Sequence, residues 1–175
     1  MPVYISLLRA VNVTGHNSIK MAGLKQMFES LGFSAVTTYL QSGNVVFTSE
    51  RSDTAALRKR IETAIGKRFG MEVTVIVKTA AEFTTVIEGN PFDHERVFVT
   101  FLAAAPASVS VDELNKVRKA DELIIVKNSI VYFLCPGSYG TTKLSNIFLE
   151  KKIGVAATTR NWKTVTALAE LAGSL

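Results

Sequence analysis

Two stretches of this chain gather side chains of the kind that hold anions. Residues 9–20 carry Arg9, Asn12, His16 and Lys20 among further hydroxyls and amides, and the turn sequence Gln41-Ser42-Gly43-Asn44 adds Ser42 and Asn44. A guanidinium binds phosphate or carboxylate through two parallel hydrogen bonds, and ammonium, imidazole and amide groups supply further donors. The second set is Ser138, Tyr139 and Lys143, in a loop that also bears Gly137 and Gly140, together with Arg160, Asn161 and Trp162. A glycine-bearing loop that opens a helix turns free amides toward an anion. Trp162 offers a ring for stacking. The structural reading of the same residues is a strand-to-helix corner, with Arg160 on carbonyls, Asn161 as cap and Trp162 as core anchor.

Several common chemistries find no support. No Gly-x-x-x-x-Gly-Lys-Ser/Thr loop, no Gly-x-Gly-x-x-Gly fingerprint and no Gly-x-Ser-x-Gly elbow occurs. Gly137-x-x-Gly140 is too short a pattern to mean more than a turn. His16 and His94 are the only histidines, and neither follows the ligand spacing of zinc sites, so no metal and no cofactor are expected. His16 stands in a polar loop, whereas His94, in Asp93-His94-Glu95, reads as solvated. Cys135 is the single cysteine, which rules out an internal disulfide; it ends an apolar strand and reads as an inert core thiol.

The elements that must position these groups follow from pattern and punctuation. Strands are expected over 3–8, 36–40, 45–48 and 72–78, from β-branched and aliphatic runs bounded by turn residues. Met21, Leu24, Phe28 and Leu31 recur at helical spacing before Gly32, and Asp53 caps a helix with Leu57, Ile61, Ala64 and Ile65 on one face. A capping box, Thr79-Ala80-Ala81-Glu82, opens a connector helix that Gly89-Asn90-Pro91-Phe92 ends. The order then repeats. Strands are expected over 96–102, 123–127, 130–134 and 155–159, with an Asn128-Ser129 turn. A capping box at Ser110-Val111-Asp112-Glu113 leads one helix, Leu144, Ile147, Phe148 and Lys151 lie on a second, and Asn161 caps a last one. The fold class is α+β, a duplication of two ferredoxin-like βαββαβ units with a connector helix and a C-terminal helix. The expected division is 1–78 for the first unit, 79–95 for the connector and 96–175 for the second unit with its added helix.

In such a unit strands one and two point the same way. Residues 9–20 and the Gln41–Asn44 turn therefore lie at one end of the first sheet. Strands three and four point the other way, so residues 135–143 and 158–162 meet at the opposite end of the second. The equivalent of residues 9–20 in the second half, Ala103-Ala104-Ala105-Pro106-Ala107-Ser108, is bland.

The chain has 175 residues, 47% hydrophobic, which is enough for a packed core. The net charge of +5 permits an acidic partner without requiring one. Arg58-Lys59-Arg60 and Lys67-Arg68 read as the solvated face of a helix. No stretch approaches a membrane span, and the first residues do not resemble a signal peptide, so the cytoplasm is the expected location. The βαββαβ order is shared with RNA-recognition modules, but Val45-Val46-Phe47-Thr48 and Val131-Tyr132-Phe133 lack the stacking pattern of their third strand.

The segment Leu7-Leu8-Arg9-Ala10-Val11-Asn12-Val13, the Met21-Ala22-x-Leu24 helix start, Leu31-Gly32-Phe33, the run Thr38-Tyr39-Leu40-Gln41-Ser42-Gly43-Asn44-Val45-Val46-Phe47, Asn90-Pro91-Phe92 and Thr159-Arg160-Asn161-Trp162 together resemble the mainly bacterial domain-of-unknown-function family 1697. The resemblance covers nearly the whole chain. It implies a duplicated ferredoxin-like fold and no particular activity. The family commonly has glycine at the position of Thr14, so threonine is expected to disfavour a tight left-handed loop there. The leading functional expectation is a binding protein for a small phosphate- or carboxylate-bearing ligand. The alternatives are a nucleic-acid-binding module and an enzyme using His16 or Cys135, and the sequence leaves the oligomeric state open.

Overall fold

The structure, a computed structural model, describes residues 1–108 and 111–175. Its first half runs β1 (Val3–Leu8), α1 (Met21–Ser30), β2 (Ser34–Tyr39), β3 (Asn44–Thr48), α2 (Thr54–Phe69) and β4 (Val75–Thr79). After α3 (Ala80–Glu88) the order recurs as β5 (Val97–Leu102), α4 (Val111–Val117), β6 (Leu123–Lys127), β7 (Ile130–Leu134), α5 (Asn146–Ile153) and β8 (Ala157–Asn161), and α6 (Trp162–Gly173) follows. Each half forms a four-stranded sheet in the order β2-β3-β1-β4 or β6-β7-β5-β8, with every neighbouring pair antiparallel. This is the duplicated ferredoxin-like α+β fold expected from the element order. The chain packs as two compact units, Met1–Thr85 with Ala167–Leu175, and Val86–Thr166.

In the first unit α1 and α2 cover one face of the sheet. Leu24, Met27 and Phe28 of α1, and Leu57, Ile61 and Ile65 of α2, join Tyr4, Leu8, Val45 and Phe47 in one buried cluster. Its centre is aromatic. Phe47 lies 4.5 Å from Phe33, 5.3 Å edge-on from Phe28 and 5.7 Å from Tyr4, between ring centroids. Such pairs add about 0.5–1.5 kcal/mol each beyond area burial. The second unit has its own cluster around Leu102, Leu114, Val131, Phe133 and Leu149. The cross-strand pair Tyr4↔Phe47 of the first sheet recurs there as Phe98↔Phe133.

The helix ends follow local chemistry. Asp53 accepts from the Ala55 amide and Gly70 closes α2 in the left-handed conformation. The Thr79–Glu82 capping box forms in both directions, Glu82 accepting from the Thr79 amide at 2.7 Å and Thr79 from the Glu82 amide at 3.1 Å. Ser110, first residue of the second expected box, lies outside the described residues. Expected strands 72–78 and 155–159 start two or three residues late, at Val75 and Ala157. The fifth helix departs from its expected phase. Leu144 is buried but precedes the helix, Ser145 is the cap, Leu149 and Ile153 are buried, and Ile147 is 73% exposed. An apolar residue just before a cap mimics the first residue of a helical stripe.

The β2–β3 turn depends on Gly43. It has φ +79°, and a Cβ there would stand 2.7 Å from Leu8 Cβ and 2.8 Å from Val11 Cγ2. Gly43→Ala is expected to cost about 2 kcal/mol or more, from left-handed strain plus a contact against packed side chains. A urea titration checks this. The midpoint should fall with the slope preserved, and an unchanged midpoint contradicts the close approach.

Candidate functional site

The first polar end is set by the last two amides of the β1 segment. Leu8 N–H donates to Gly43 O at 2.9 Å, and Arg9 N–H donates to Thr74 O at 2.9 Å. Chain from the β2–β3 turn and from the start of β4 is thereby held on either side of residue 9. The expected meeting of residues 9–20 with the Gln41–Asn44 turn is present, and Asn12 makes it. Its Nδ2 donates to Gln41 O at 2.7 Å and to Ile19 O at 2.9 Å, while its Oδ1 accepts from the Ile19 amide at 2.8 Å. One side chain closes the loop on itself and ties it to the turn.

The loop is conformationally costly. Ala10, Asn12, Thr14 and Asn17 have φ between +47° and +54°, and Gly15 has +78°. Thr14 thus adopts the left-handed conformation that its side chain was expected to disfavour. The hydrogen bonds Asn12 N–H to Asn17 O, His16 N–H to Val13 O and Asn17 Nδ2 to Ala10 O close a compact turn that overrides that preference. Non-glycine residues held this way cost about 1–3 kcal/mol each and cluster at ligand clamps and active sites.

The six residues singled out here do not play one role. Asn44 is fully buried, and its Nδ2 donates to Tyr39 O at 2.8 Å and Ser42 Oγ at 2.9 Å, so it and Ser42 brace the turn. Asn12 braces the loop. Arg9 is half-buried, and His16 and Lys20 are exposed. Residues 9–20 and 40–44 contain no acidic residue.

The second polar end also assembles where expected. The chain after β7 and the end of β8 flank the start of β5, where Arg96 Nε donates to Cys135 O at 3.3 Å and an Arg96 terminal nitrogen donates to Gly137 O. The residues there serve the fold. Tyr139 stacks on Phe98 at 4.5 Å, and its Oη accepts from the Asn146 amide at 3.0 Å. Asn146 and Thr159 are bonded at 2.8 Å, and Thr159 meets Thr100 at 2.8 Å. Burial pushes the Tyr139 phenol up, against the hydrogen bond from Thr159. The loop after Gly137 does not lead straight into an α-helix. A single 3-10 turn, Tyr139–Thr141, follows, and the Asn146 and Phe148 amides at the start of α5 are taken by Tyr139 and Ser145. Asn161 caps α6 by accepting from the Thr164 amide at 2.9 Å. Arg160 is 8% exposed and donates to Thr158 Oγ1 at 2.6 Å and Thr159 O at 3.0 Å; burial lowers its pKa to about 10. Ser138 and Lys143 are exposed and Trp162 is half-buried.

Cys135 is 1% exposed, and burial, then Glu122, push its thiol up against the pull of Arg96 and Lys119. His94 is exposed, and its Nδ1 accepts from the Arg96 amide at 2.9 Å. Two open concavities of the first unit escaped the sequence reading. One, of 560 Å³, includes Glu62, Met71, Glu72 and Thr74 at the start of β4; the other, of 470 Å³, runs along α2. Neither contains a candidate residue of the two polar ends, although Thr74, whose carbonyl accepts from the Arg9 amide, lines the first. Small side chains such as Ala56 and Gly66 carry no signal that a hollow forms above them.

The model of the family described as "Protein of unknown function (DUF1697)" matches residues 1–132. The chain is also similar to a solved structure, that of conserved bacterial protein SP0830 from Streptococcus pneumoniae, with 26% identity, 97% of this chain and 98% of that chain covered, and a TM-score of 0.73. No curated protein matches it.

Two outcomes follow from the geometry. Asn12→Ala removes three hydrogen bonds, two of them part-buried, with the carbonyl and the amide of Ile19, and should lower stability by about 1–3 kcal/mol. Thermal melting against the parent reads it, and an unaltered melting temperature contradicts the bracing role. Native Cys135 should react with a charged alkylating reagent at pH 8 far more slowly than free cysteine, and at the ordinary rate in denaturant. Equal native and denatured rates contradict its burial.

Proposed function

We infer a binding function for this chain, which belongs to the family of proteins of unknown function 1697: it holds a small phosphate- or carboxylate-bearing ligand at the end of the first sheet. What supports this reading is that Arg9, His16 and Lys20 belong to one loop, which Asn12 ties to the Gln41–Asn44 turn, and that neither segment contains an acidic residue. The left-handed loop supports it. Ala10, Asn12 and Thr14 have positive φ, and residues held in such conformations cluster at ligand clamps. The strain of such a loop is offset if ligand binding rewards its shape. We place the protein in the cytoplasm on the same reading. No helix of the described residues is long and apolar enough to cross a membrane.

The nucleic-acid reading draws on the +5 charge and the element order. It is disfavoured by burial. Every residue of β3 is buried, as are Tyr4 to Leu8 of β1, so the two central strands of the first sheet offer no ring on which a base can stack.

Thermal melting with inorganic phosphate, adenosine monophosphate and citrate tests the proposal, because a ligand that binds only the folded state raises the melting temperature by mass action. At least one of the three should raise it by a few degrees. His16→Ala with Lys20→Ala, both at exposed positions, should abolish the rise while leaving the unliganded melt unchanged. No rise with any of the three, or the same rise in the double variant, counts against the site.

A further inference from the structure

The outer face of α2 carries a trough that the anion site does not use. Its floor is aliphatic and shallow: Leu31, Ala56 and Ala64, all half-buried. Its rim is cationic: Arg51, Lys59 and Lys67, all exposed, with Arg60 inside it. Ala56, Lys59, Arg60, Thr63, Ala64 and Lys67 recur at helical spacing, so they form one stripe along the helix. At 1.5 Å per residue that stripe is about 17 Å long. Arg60 is committed to the wall, since it donates to Leu31 O at 2.8 Å and lies 5.3 Å from the Phe33 ring centre. Among the described residues, no carboxylate pairs with Arg51, Lys59 or Lys67. The nearest acid on the helix, Glu62, instead accepts from the Val75 amide at 3.0 Å.

We propose that this trough docks an acidic amphipathic segment of a partner protein, about three helical turns long, with its apolar side chains on the floor and its carboxylates on the rim. A lining in which aliphatic side chains and cations share one helix face complements apolar anchors at helical spacing interspersed with acids, the mode in which grooves receive helices. The floor decides against a nucleic acid. Phosphates fit the rim, but bases need an exposed ring, and Phe33 is 5% exposed beneath Arg60. The length and openness of the trough fit an extended partner better than a compact ligand. The exposed rim charges act mainly on the association rate and on salt dependence, so complex formation weakens as ionic strength rises.

Fluorescence anisotropy on the full chain tests this with a labelled 12-residue helical peptide carrying leucines at i, i+4 and i+7 and glutamates between them. The peptide should bind saturably at low salt, and Lys59→Glu with Lys67→Glu should weaken it at least tenfold. A control of the same composition with the leucine spacing broken should bind at least tenfold more weakly than the patterned peptide. Both substituted lysines are solvent-exposed, and an unchanged melting temperature verifies that the variant folds. Absence of saturable binding, equal binding by the variant, equal binding by the scrambled control, or tighter binding of a single-stranded oligonucleotide through the same lysines each overturns the proposal.

Discussion

The architecture of the first polar end hangs on one pair of hydrogen bonds. Successive amides, Leu8 and Arg9, point to opposite sides of the chain and find Gly43 O and Thr74 O. A central strand can place its exit loop only if both neighbours are pinned where it ends. The second unit repeats the arrangement with other residues, Leu102 N–H to Ser129 O at 2.9 Å and Ala103 N–H to Ala156 O at 2.8 Å. The frame is the same, and what hangs from it differs. Residues 9–20 add a polar loop braced by Asn12, while the counterpart begins with three alanines. A backbone device of this kind is indifferent to side chains. It can be duplicated and then carry unequal loops.

Brace and ligand group are distinct categories at this end. Asn12 and Asn44 direct hydrogen bonds into the backbone and Ser42 accepts from Asn44, whereas His16 and Lys20 face solvent. Asparagine serves as brace because it has two donors and an acceptor and tolerates positive φ, as Asn12 does here. At the other polar end the bracing function takes nearly all the residues. Tyr139, Asn146, Thr159 and Thr100 satisfy one another in a network that leaves little polar capacity for a ligand.

The fold was legible in the sequence because each element was announced by more than one signal. Periodicity and a cap agreed for α2, as did capping chemistry and an apolar face for α3. The hairpin 123–134 was legible to the residue because Asn128-Ser129 is short and its flanks are continuous apolar runs. The α5 phase was not, since Leu144 before the Ser145 cap mimics the first residue of a stripe. The meeting of loops was legible because it follows from strand direction alone. Which side chains would be consumed as braces was not, because that depends on atoms 29 residues apart, as for Asn12 and Gln41. Thr14 shows the same limit, a local preference overridden by the hydrogen bonds around it.

The grouping of Ala167–Leu175 with Met1–Thr85 also bears on the order of assembly. Domains fold as they are synthesised, amino-terminal part first. Here the amino-terminal unit lacks its last piece until the chain has been made through Leu175, while every residue of Val86–Thr166 is already present. The aromatic centre around Phe47 is drawn wholly from residues up to 47, so all of its rings are synthesised before the second unit begins.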